Sequence, residues 1–346
     1  MFFLAVGISH KTSDMTVREK FYLSPAEKEF VLNRLRLEEG VSEALVMSTC
    51  NRTEIYAVMR DPDTGRLVRA LCNVKKIVYS DKLSGFFYQY HQETAVRHLL
   101  SVTAGLDSLV LGEKQILGQV RQAVEVSRAA DMLGRFTNIL FNTALRTGKK
   151  ARTETSISAG GSSVSWAAVK KAEQFWGTLS GKSVLIIGAG KMSELAADDL
   201  KRRGVGKLYI MNRTPENGED LAQKFHGTAV SFWAIKDVLS DVDVCICSAG
   251  APHYLIEPDL VQEAVVGRDR DLLMIDISMP RNINPGVASV AGVTLVGIDD
   301  LQQVIGRCAQ ERLEAVYQVE KIITRKTEEF FAKLSAAEFA GKCFVS

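Results

Sequence analysis

From residue 183 onward the chain repeats one pattern: a short unbroken apolar run, a stretch with helical spacing, then another apolar run. The runs fall at 183–188 (SVLIIG), 207–211 (KLYIM), 243–247 (DVCIC), 272–277 (LLMIDI) and 293–297 (VTLVG). A strand without polar alternation is buried on both faces, and strands separated by helices pair in parallel. The series therefore predicts a Rossmann-type α/β domain, a doubly wound parallel sheet.

The first run enters Gly188-Ala189-Gly190-Lys191-Met192-Ser193, and a helix is expected over 191–203. Gly188 permits the tight turn, and Gly190 lets the backbone approach a pyrophosphate. The open amides of the helix start then bind phosphate. Ser193 stands where a third glycine is usual, which fits a small-residue contact between helix and sheet. The second run ends in Asn212-Arg213-Thr214 rather than in an acidic residue. A carboxylate there would accept a ribose hydroxyl, whereas Arg213 attracts a 2′-phosphate, so the expected cofactor is NADPH.

The first half has a different texture. Residues 2–8 (FFLAVGI) read as a buried strand, and Ser24-Pro25-Ala26-Glu27 as a helix start with a capping box. Strands are expected at 43–48 and 54–59, with Thr49-Cys50-Asn51-Arg52 between them. Residues 93–154 lack proline and carry apolar residues at helical spacing, Leu109, Ile116, Val120 and Val124 among them. That stretch closes on a basic cluster, Arg146, Lys149, Lys150 and Arg152, and the small residues 156–163 read as a linker. Residues 299–340 read as one long helix of about 60 Å, with a stripe of Leu301, Ile305, Cys308, Leu313, Val316, Val319 and Ile323. Such a stripe needs another domain, another subunit or the rest of the chain to cover it. The expected layout is an α+β domain over 1–155, a nucleotide domain over 156–296 and a spinal helix over 297–346.

Composition narrows the function classes. With 46% hydrophobic and 24% charged residues among 346, the chain is ordinary globular material. Its 43 basic against 41 acidic residues give a net charge of +2, which does not by itself mark a nucleic-acid binder. No apolar run approaches the roughly 18 residues of a membrane span, and the start lacks the basic region of a signal peptide. The cysteines at 50, 72, 245, 247, 308 and 343 are scattered. They read as free thiols in a reducing, cytoplasmic setting, and no Cys/His spacing matches a zinc site.

Cys50 is the candidate nucleophile. It sits at a strand end among polar residues, and Arg52, two residues on, is expected to favour the reactive thiolate. The competing reading is a small buried hydrophobe. A cysteine nucleophile with a hydride donor points to one reaction class: an acyl group is captured as a thioester and reduced to an aldehyde. His98, just ahead of the polar interruption Gly105-Leu106-Asp107-Ser108, is the candidate proton carrier.

Together these residues resemble the glutamyl-tRNA reductase family. The resemblance runs through most of the chain. It is carried by Gly7-Ile8-Ser9-His10-Lys11-Thr12 followed by Arg18-Glu19, by STCNRTEIY from Ser48 to Tyr56, and by GLDSLVLGEKQILGQV from Gly105 to Val120. ARTET (Ala151 to Thr155), GAGKMSE (Gly188 to Glu194), NRT (Asn212 to Thr214) and IDISMPRNI (Ile275 to Ile283) follow in family order. The resemblance implies NADPH-dependent reduction of glutamyl-tRNA to glutamate-1-semialdehyde, the opening step of five-carbon tetrapyrrole synthesis. It makes Cys50 the nucleophile and His98 its assistant. Thr49, Asn51, Arg52, Ser108, Glu113, Lys114, Gln115 and Gln119 would line the glutamate pocket, with Arg52 on the substrate's side-chain carboxylate. Gly188, Ala189, Gly190, Lys191, Met192 and Ser193, with Asn212, Arg213 and Thr214, would hold the cofactor. An aminomutase that receives the aldehyde is a candidate partner. Three departures stand out. Asp14-Met15-Thr16 replaces a usual Ala-Pro pair, and Lys114 takes a place often held by Asp or Pro. The chain also stops where family members continue into a dimerisation domain, which leaves a homodimer and the strength of tRNA binding open. The alternatives are a related thioester reductase that does not use tRNA and a non-catalytic binding protein.

Overall fold

The computed structural model describes residues 1–158, 163–301 and 313–342, without the side chains of 81 and 336–342. They fall into two compact units, residues 1–162 with 308–346, and residues 163–307. Cys308, Cys343, Ile305 and part of the expected linker lie outside the described residues.

The first unit opens with β1 (Phe2–Ser9), α1 (Met15–Phe21) and α2 (Pro25–Arg36). The hairpin β2 (Val41–Ser48) and β3 (Arg52–Met59) follows, then α3 (Thr64–Lys75), the short α4 (Asp81–Ser84) and β4 (Tyr88–His91). Its four strands form an antiparallel sheet in the order β2-β3-β1-β4. Successive side chains of a strand point to opposite faces, and here both faces are buried. Leu4, Val6, Ile8, Val46 and Ile55 pack with Phe21, Leu32 and Leu71 from α1, α2 and α3. Phe3, Ala5, Met47 and Tyr56 face the other way, into a second cluster. That is why residues 2–8 read as a continuous apolar run rather than an alternating one.

The stretch 93–154 is three helices, α5 (Gln92–Ala104), α6 (Gln115–Ala129) and α7 (Arg135–Glu154), which cover the second face. Gly105, the left-handed C-cap of α5 at φ +84°, breaks the first from the second. Two features of the sequence, one a departure from pattern and one expected, have local roles. The Asp14 side chain caps α1 by accepting from Val17 N, and the capping box expected at Ser24 is formed with Glu27.

The nucleotide-type unit contains α8 (Val164–Trp176), β5 (Ser183–Ile187), α9 (Lys191–Arg202), β6 (Lys207–Met211) and α10 (Pro215–Lys224). It continues with β7 (Thr228–Val230), α11 (Ile235–Asp241), β8 (Val244–Cys247), α12 (Pro258–Val265), β9 (Leu272–Asp276) and β10 (Val293–Gly297). The strands are all parallel, in the order β10-β9-β8-β5-β6-β7. This is the dinucleotide order, with its switch point between β5 and β8. The sequence pattern missed β7, whose three residues are mostly exposed.

The C-terminal helix α13 (Leu313–Lys342) spans 30 residues, about 45 Å. Residues 302–312 are not described, and Asp299–Leu301 is a single 3-10 turn, so the expected helix from 299 is seen only from 313. The apolar stripe is covered by its own unit: Ala315, Val319, Ile323 and Phe330 join the second cluster beside α5 and α7. Phe330 meets Phe136 edge-on at 5.3 Å. Leu313, expected in the stripe, is 64% exposed, because the buried line runs through Ala315 instead.

Candidate active site

The β2–β3 hairpin places Cys50 at its turn. Ser48 pairs with Thr53 across the ladder, and Thr49 N donates to Arg52 O at 2.8 Å, which leaves Cys50 and Asn51 as the two turn residues. Thr49, Asn51 and Arg52 are buried around a half-buried Cys50. The main chain of His10 is tied to the same turn, its N–H donating to Asn51 O at 3.0 Å.

Arg52 does not act as a free cation. Its Nη1 donates to Glu54 Oε1 at 2.9 Å and to Asp107 Oδ2 at 2.8 Å, and Nη2 donates to the Asp107 carbonyl. Lys11 closes the far side of Asp107 with an ion pair. Arg52 pulls Cys50 toward the thiolate, as expected, but weakly, and the pull is outweighed. Burial, with the Glu113 carboxylate behind it, pushes the thiol up to about 12 against the smaller pull of Arg18 and Arg52. Three of the five guanidinium N–H donors are committed in this way, and Nε and the second Nη2 N–H remain for a carboxylate.

The loop between α5 and α6 supplies the opposite wall. Gly112 N donates to Gly105 O at 2.9 Å, and Gly112 adopts φ +73° with a Cβ position only 2.0 Å from Ile157 O. Only glycine fits there, and the loop it pins carries Asp107, Ser108 and Glu113. Arg152, part of the basic cluster that closes the helical stretch, donates to the carbonyls of Thr103 (3.0 Å) and Glu113 (2.8 Å), binding α7 to this loop. Burial lifts the Glu113 carboxyl to about 7, against the opposing charges of Arg52 and Arg152. Burial and the Arg52 charge also depress His10 to about 4, so its ring is neutral at pH 7.

Buried polar atoms normally find partners. Among the described residues, Asn51 Oδ1, Ser108 Oγ, Gln115 Nε2 and His10 Nδ1 have none. Three of these four residues were singled out from the sequence as substrate-lining. Gln119 is half-buried on α6, while Lys114 is exposed at the start of that helix. His98, on α5, is bound through Nε2 to Glu54 Oε1 at 2.8 Å. Glu54, Asp107, Tyr88 and His10 were not expected in the constellation. The signal that could have found Glu54 is the alternation of Arg52, Glu54 and Tyr56 on one face of β3.

In the second unit, the carboxyl ends of β5, β6, β7 and β8 enclose a cavity of about 460 Å³. Gly188, Ala189, Gly190, Asn212, Arg213 and Thr214 line it, as expected from the sequence. Gly188 has φ +111°, and its Cβ position lies 3.0 Å from the Ser248 carbonyl group, so the β5 turn must be glycine. A Cβ at Gly190 would meet nothing within 4 Å, which leaves open space in front of the uncapped start of α9. These features fit a dinucleotide pyrophosphate. Ser193 is fully buried and bonds Ser248 Oγ at 2.7 Å, so it ties the helix to the β8 turn. Lys191 turns away to Glu194 at 2.6 Å, and the Met192 carbonyl accepts from Ser165 Oγ at 2.8 Å. The sequence reading missed Asn217, Phe232 and the post-β8 residues Ser248, Ala249, His253 and Leu255.

The run from Ile275 to Ile283 shapes that cavity from behind. The Asp276 carboxylate accepts from Ser278 N (2.9 Å), Asn282 N (2.8 Å) and Ile283 N (2.8 Å). Asn282 Nδ2 then donates to the carbonyls of Ala251 (2.9 Å) and His253 (3.0 Å), holding the loop that lines the site.

Comparison with known proteins decides the family. A family model described as "Glutamyl-tRNAGlu reductase, N-terminal domain" matches residues 6–155, and one described as "Shikimate / quinate 5-dehydrogenase" matches residues 170–304. The glutamyl-tRNA reductase of Bacillus velezensis is 39% identical over 95% of this chain and 73% of its own length. This chain belongs to the glutamyl-tRNA reductase family. The Moorella thermoacetica glutamyl-tRNA reductase is 40% identical over 97% of the chain and 77% of its own length. Among solved structures, the glutamyl-tRNA reductase from Methanopyrus kandleri matches 97% of this chain and 81% of its own, with 32% identity and a TM-score of 0.54. Among the described residues no helix is long and apolar enough to cross a membrane.

Proposed function

We propose that this chain reduces the glutamyl group of glutamyl-tRNA to glutamate-1-semialdehyde with NADPH, through a thioester on Cys50. Family membership over nearly the whole chain supports the overall reaction. The carrying observation for the site is the set of unpartnered buried atoms, Asn51 Oδ1, Ser108 Oγ, Gln115 Nε2 and His10 Nδ1. A polar amino-acid substrate supplies the partners these atoms lack.

In the first half-reaction the Cys50 sulfur bonds to the ester carbonyl carbon, the bond to the tRNA ribose oxygen breaks, and that oxygen leaves with a proton. A thiol held near 12 must lose its proton as it attacks. Glu113, titrating at about 7, can accept that proton at neutral pH. His98 is placed in this reading to pass a proton to the departing ribose oxygen. When bound, NADPH supplies the hydride that converts the thioester to the aldehyde and frees the cysteine. Arg213, exposed at the rim of its cavity, is the residue for the 2′-phosphate. The product is a reactive amino aldehyde, so direct hand-over to an aminomutase, a cytoplasmic location and a homodimer belong to this reading as further proposals.

The test is a single-turnover assay with radiolabelled glutamyl-tRNA. Label held on the protein without NADPH, released as aldehyde when NADPH is added, and absent in Cys50→Ser is the expected result. Aldehyde formation by the Cys50→Ser protein would refute the thioester.

A further inference from the structure

The basic cluster at the end of α7 takes no part in the reaction as written above. That helix carries five bases, Arg135, Arg146, Lys149, Lys150 and Arg152, against one acid, Glu154. The chain as a whole is nearly balanced. Two of the five bases serve the fold. Arg152 holds the loop of the candidate site, and Lys150 pairs with Glu154 at 3.0 Å. Arg146 and Lys149, one turn apart, are exposed, and among the described residues neither has an acidic partner. Other exposed bases do find acids: Arg202 pairs with Asp198 at 2.9 Å, Lys207 with Asp241 at 3.3 Å and Lys236 with Glu263 at 2.7 Å.

A third unpaired base comes from α6. The two helices are joined by the short connection 130–134 and run back along each other. A Cβ on Gly148 would lie 2.9 Å from Leu117 Cδ1, so the start of α6 rests against the end of α7. Arg121 follows Leu117 by one turn and shares its side of α6. It is exposed and, among the described residues, without an acidic partner. Because the helices are antiparallel, Arg121 is level with the turn of α7 that holds Arg146. All three bases lie near the candidate site. Gln115, whose buried Nε2 has no partner, opens α6, and Arg152 donates to the Glu113 carbonyl just before it. At 1.5 Å per residue, Arg121 is about 9 Å along α6 from Gln115, and Lys149 and Arg146 are about 4.5 and 9 Å along α7 from Arg152.

The proposed substrate is an ester on the terminal ribose of a polyanion. A net charge of +2 gives the chain little long-range attraction for such a molecule, so binding falls to local concentrations of unpaired bases. We propose that Arg121, Arg146 and Lys149 form a phosphate-binding patch for the nucleotides next to the glutamylated ribose of the tRNA. The proposal rests on the reading of glutamyl-tRNA as the substrate. Arg121 and Arg146 offer forked donors to phosphate oxygens, and Lys149 offers a point charge. Contacts of this kind position a strand without reading its sequence. The patch therefore sets where the ester enters, while the buried polar atoms around Cys50 select the glutamyl group.

Equilibrium binding of glutamyl-tRNA to the Cys50→Ser protein, which does not consume the ester in the proposed mechanism, tests the patch between about 50 and 200 mM salt. Adding Arg121→Gln, Arg146→Gln and Lys149→Gln together should weaken binding at least about 10-fold at the low end. The slope of log affinity against log salt should fall by about 2, at about 0.7 for each single-strand phosphate contact. With Cys50 restored, the tRNA concentration that half-saturates label transfer should rise, and Cys50 alkylation at the unaltered rate shows that the variant is folded. Arg202→Gln, Lys207→Gln and Lys236→Gln together remove the same charge from paired positions and should leave the slope unchanged. The three single substitutions of the patch, each expected to cost about 0.7 in slope, decide the matter should the triple variant fail to fold. An unchanged slope in the patch variants, or an equal loss in the paired-base variant, overturns the proposal. So does a difference seen with whole tRNA and lost with a glutamylated acceptor-arm minihelix. No binding by the Cys50→Ser protein and no label transfer by the unaltered protein would instead refute the substrate reading on which the patch depends.

Discussion

Replacing Glu113 with glutamine separates the electrostatics of the site from its shape. The carboxyl is 6% exposed and is lifted by burial from its ordinary 4.5 to about 7. Between these values the unfolded chain releases the proton that the folded protein keeps, so stability falls as pH rises through that window. At 1.36 kcal/mol per pH unit the loss approaches roughly 3 kcal/mol above pH 7. Glutamine is neutral throughout and escapes it. The stability difference between Glu113→Gln and the unaltered protein should therefore shift toward the variant by roughly that amount between pH 4.5 and 8. For a unit of this size that is about 6–12 °C in melting temperature. Any hydrogen-bonding difference between the two side chains is constant with pH and cancels. Melting curves across the range are the assay. The same substitution removes the negative charge that helps raise Cys50, so alkylation of Cys50 at fixed pH should quicken while glutamyl transfer slows. A stability difference that stays flat from pH 5 to 8 would refute the buried-carboxyl reasoning.

Arg213→Ala should weaken NADPH binding roughly 10- to 100-fold, the worth of a charge-assisted contact, and leave NADH binding unchanged. Equal losses for both nucleotides would place the 2′-phosphate elsewhere. Asn282→Ala removes both donors to the Ala251 and His253 carbonyls. NADPH affinity measured by fluorescence titration should fall several-fold, with acylation of Cys50 in the absence of NADPH unaffected. Phe330→Ala should cost the first unit about 3–5 kcal/mol in urea unfolding, as expected for a fully buried ring. An unchanged midpoint would mean that this face of α13 is not part of the core.

Much of the fold was legible because burial on both faces leaves a simple trace. The continuous apolar runs at 183–188, 207–211, 243–247 and 272–277 could only be strands covered on two sides, and the glycines after the first located the crossover. β7 escaped because an edge strand of three residues buries almost nothing. The helical stretch 93–154 escaped division because its two breaks, after Ala104 and after Ala129, are made without proline, at Gly105 and in the turn that ends at Gly134. In α13 the periodicity was right: Val316, Val319 and Ile323 of the expected stripe meet the core, and Leu313 departs from it. Alanine at 315 is small enough to lie against a neighbouring helix, and Leu313 is carried to the solvent side.

The residues of the candidate site were legible as types and not as relationships. A cysteine beside an arginine reads as an activated thiolate only if the arginine is free, and nothing local reveals that Asp107, 55 residues away, has claimed it. The competition is decided by the sheet. Arg52, Glu54 and Tyr56 share one face of β3, and the helix that covers that face brings His98 down onto it. Reading the segment with period two would have put an acid and a base on the same inner face and raised the question of what neutralises them. Gly7 marks part of the answer on the strand between, since an acid bonded across a neighbouring strand to Tyr88 needs a residue without a side chain in between. The pairing of Glu54 with His98 thus depends on three elements remote in sequence, and the glycine in β1 is the one mark of it that the chain carries in plain view.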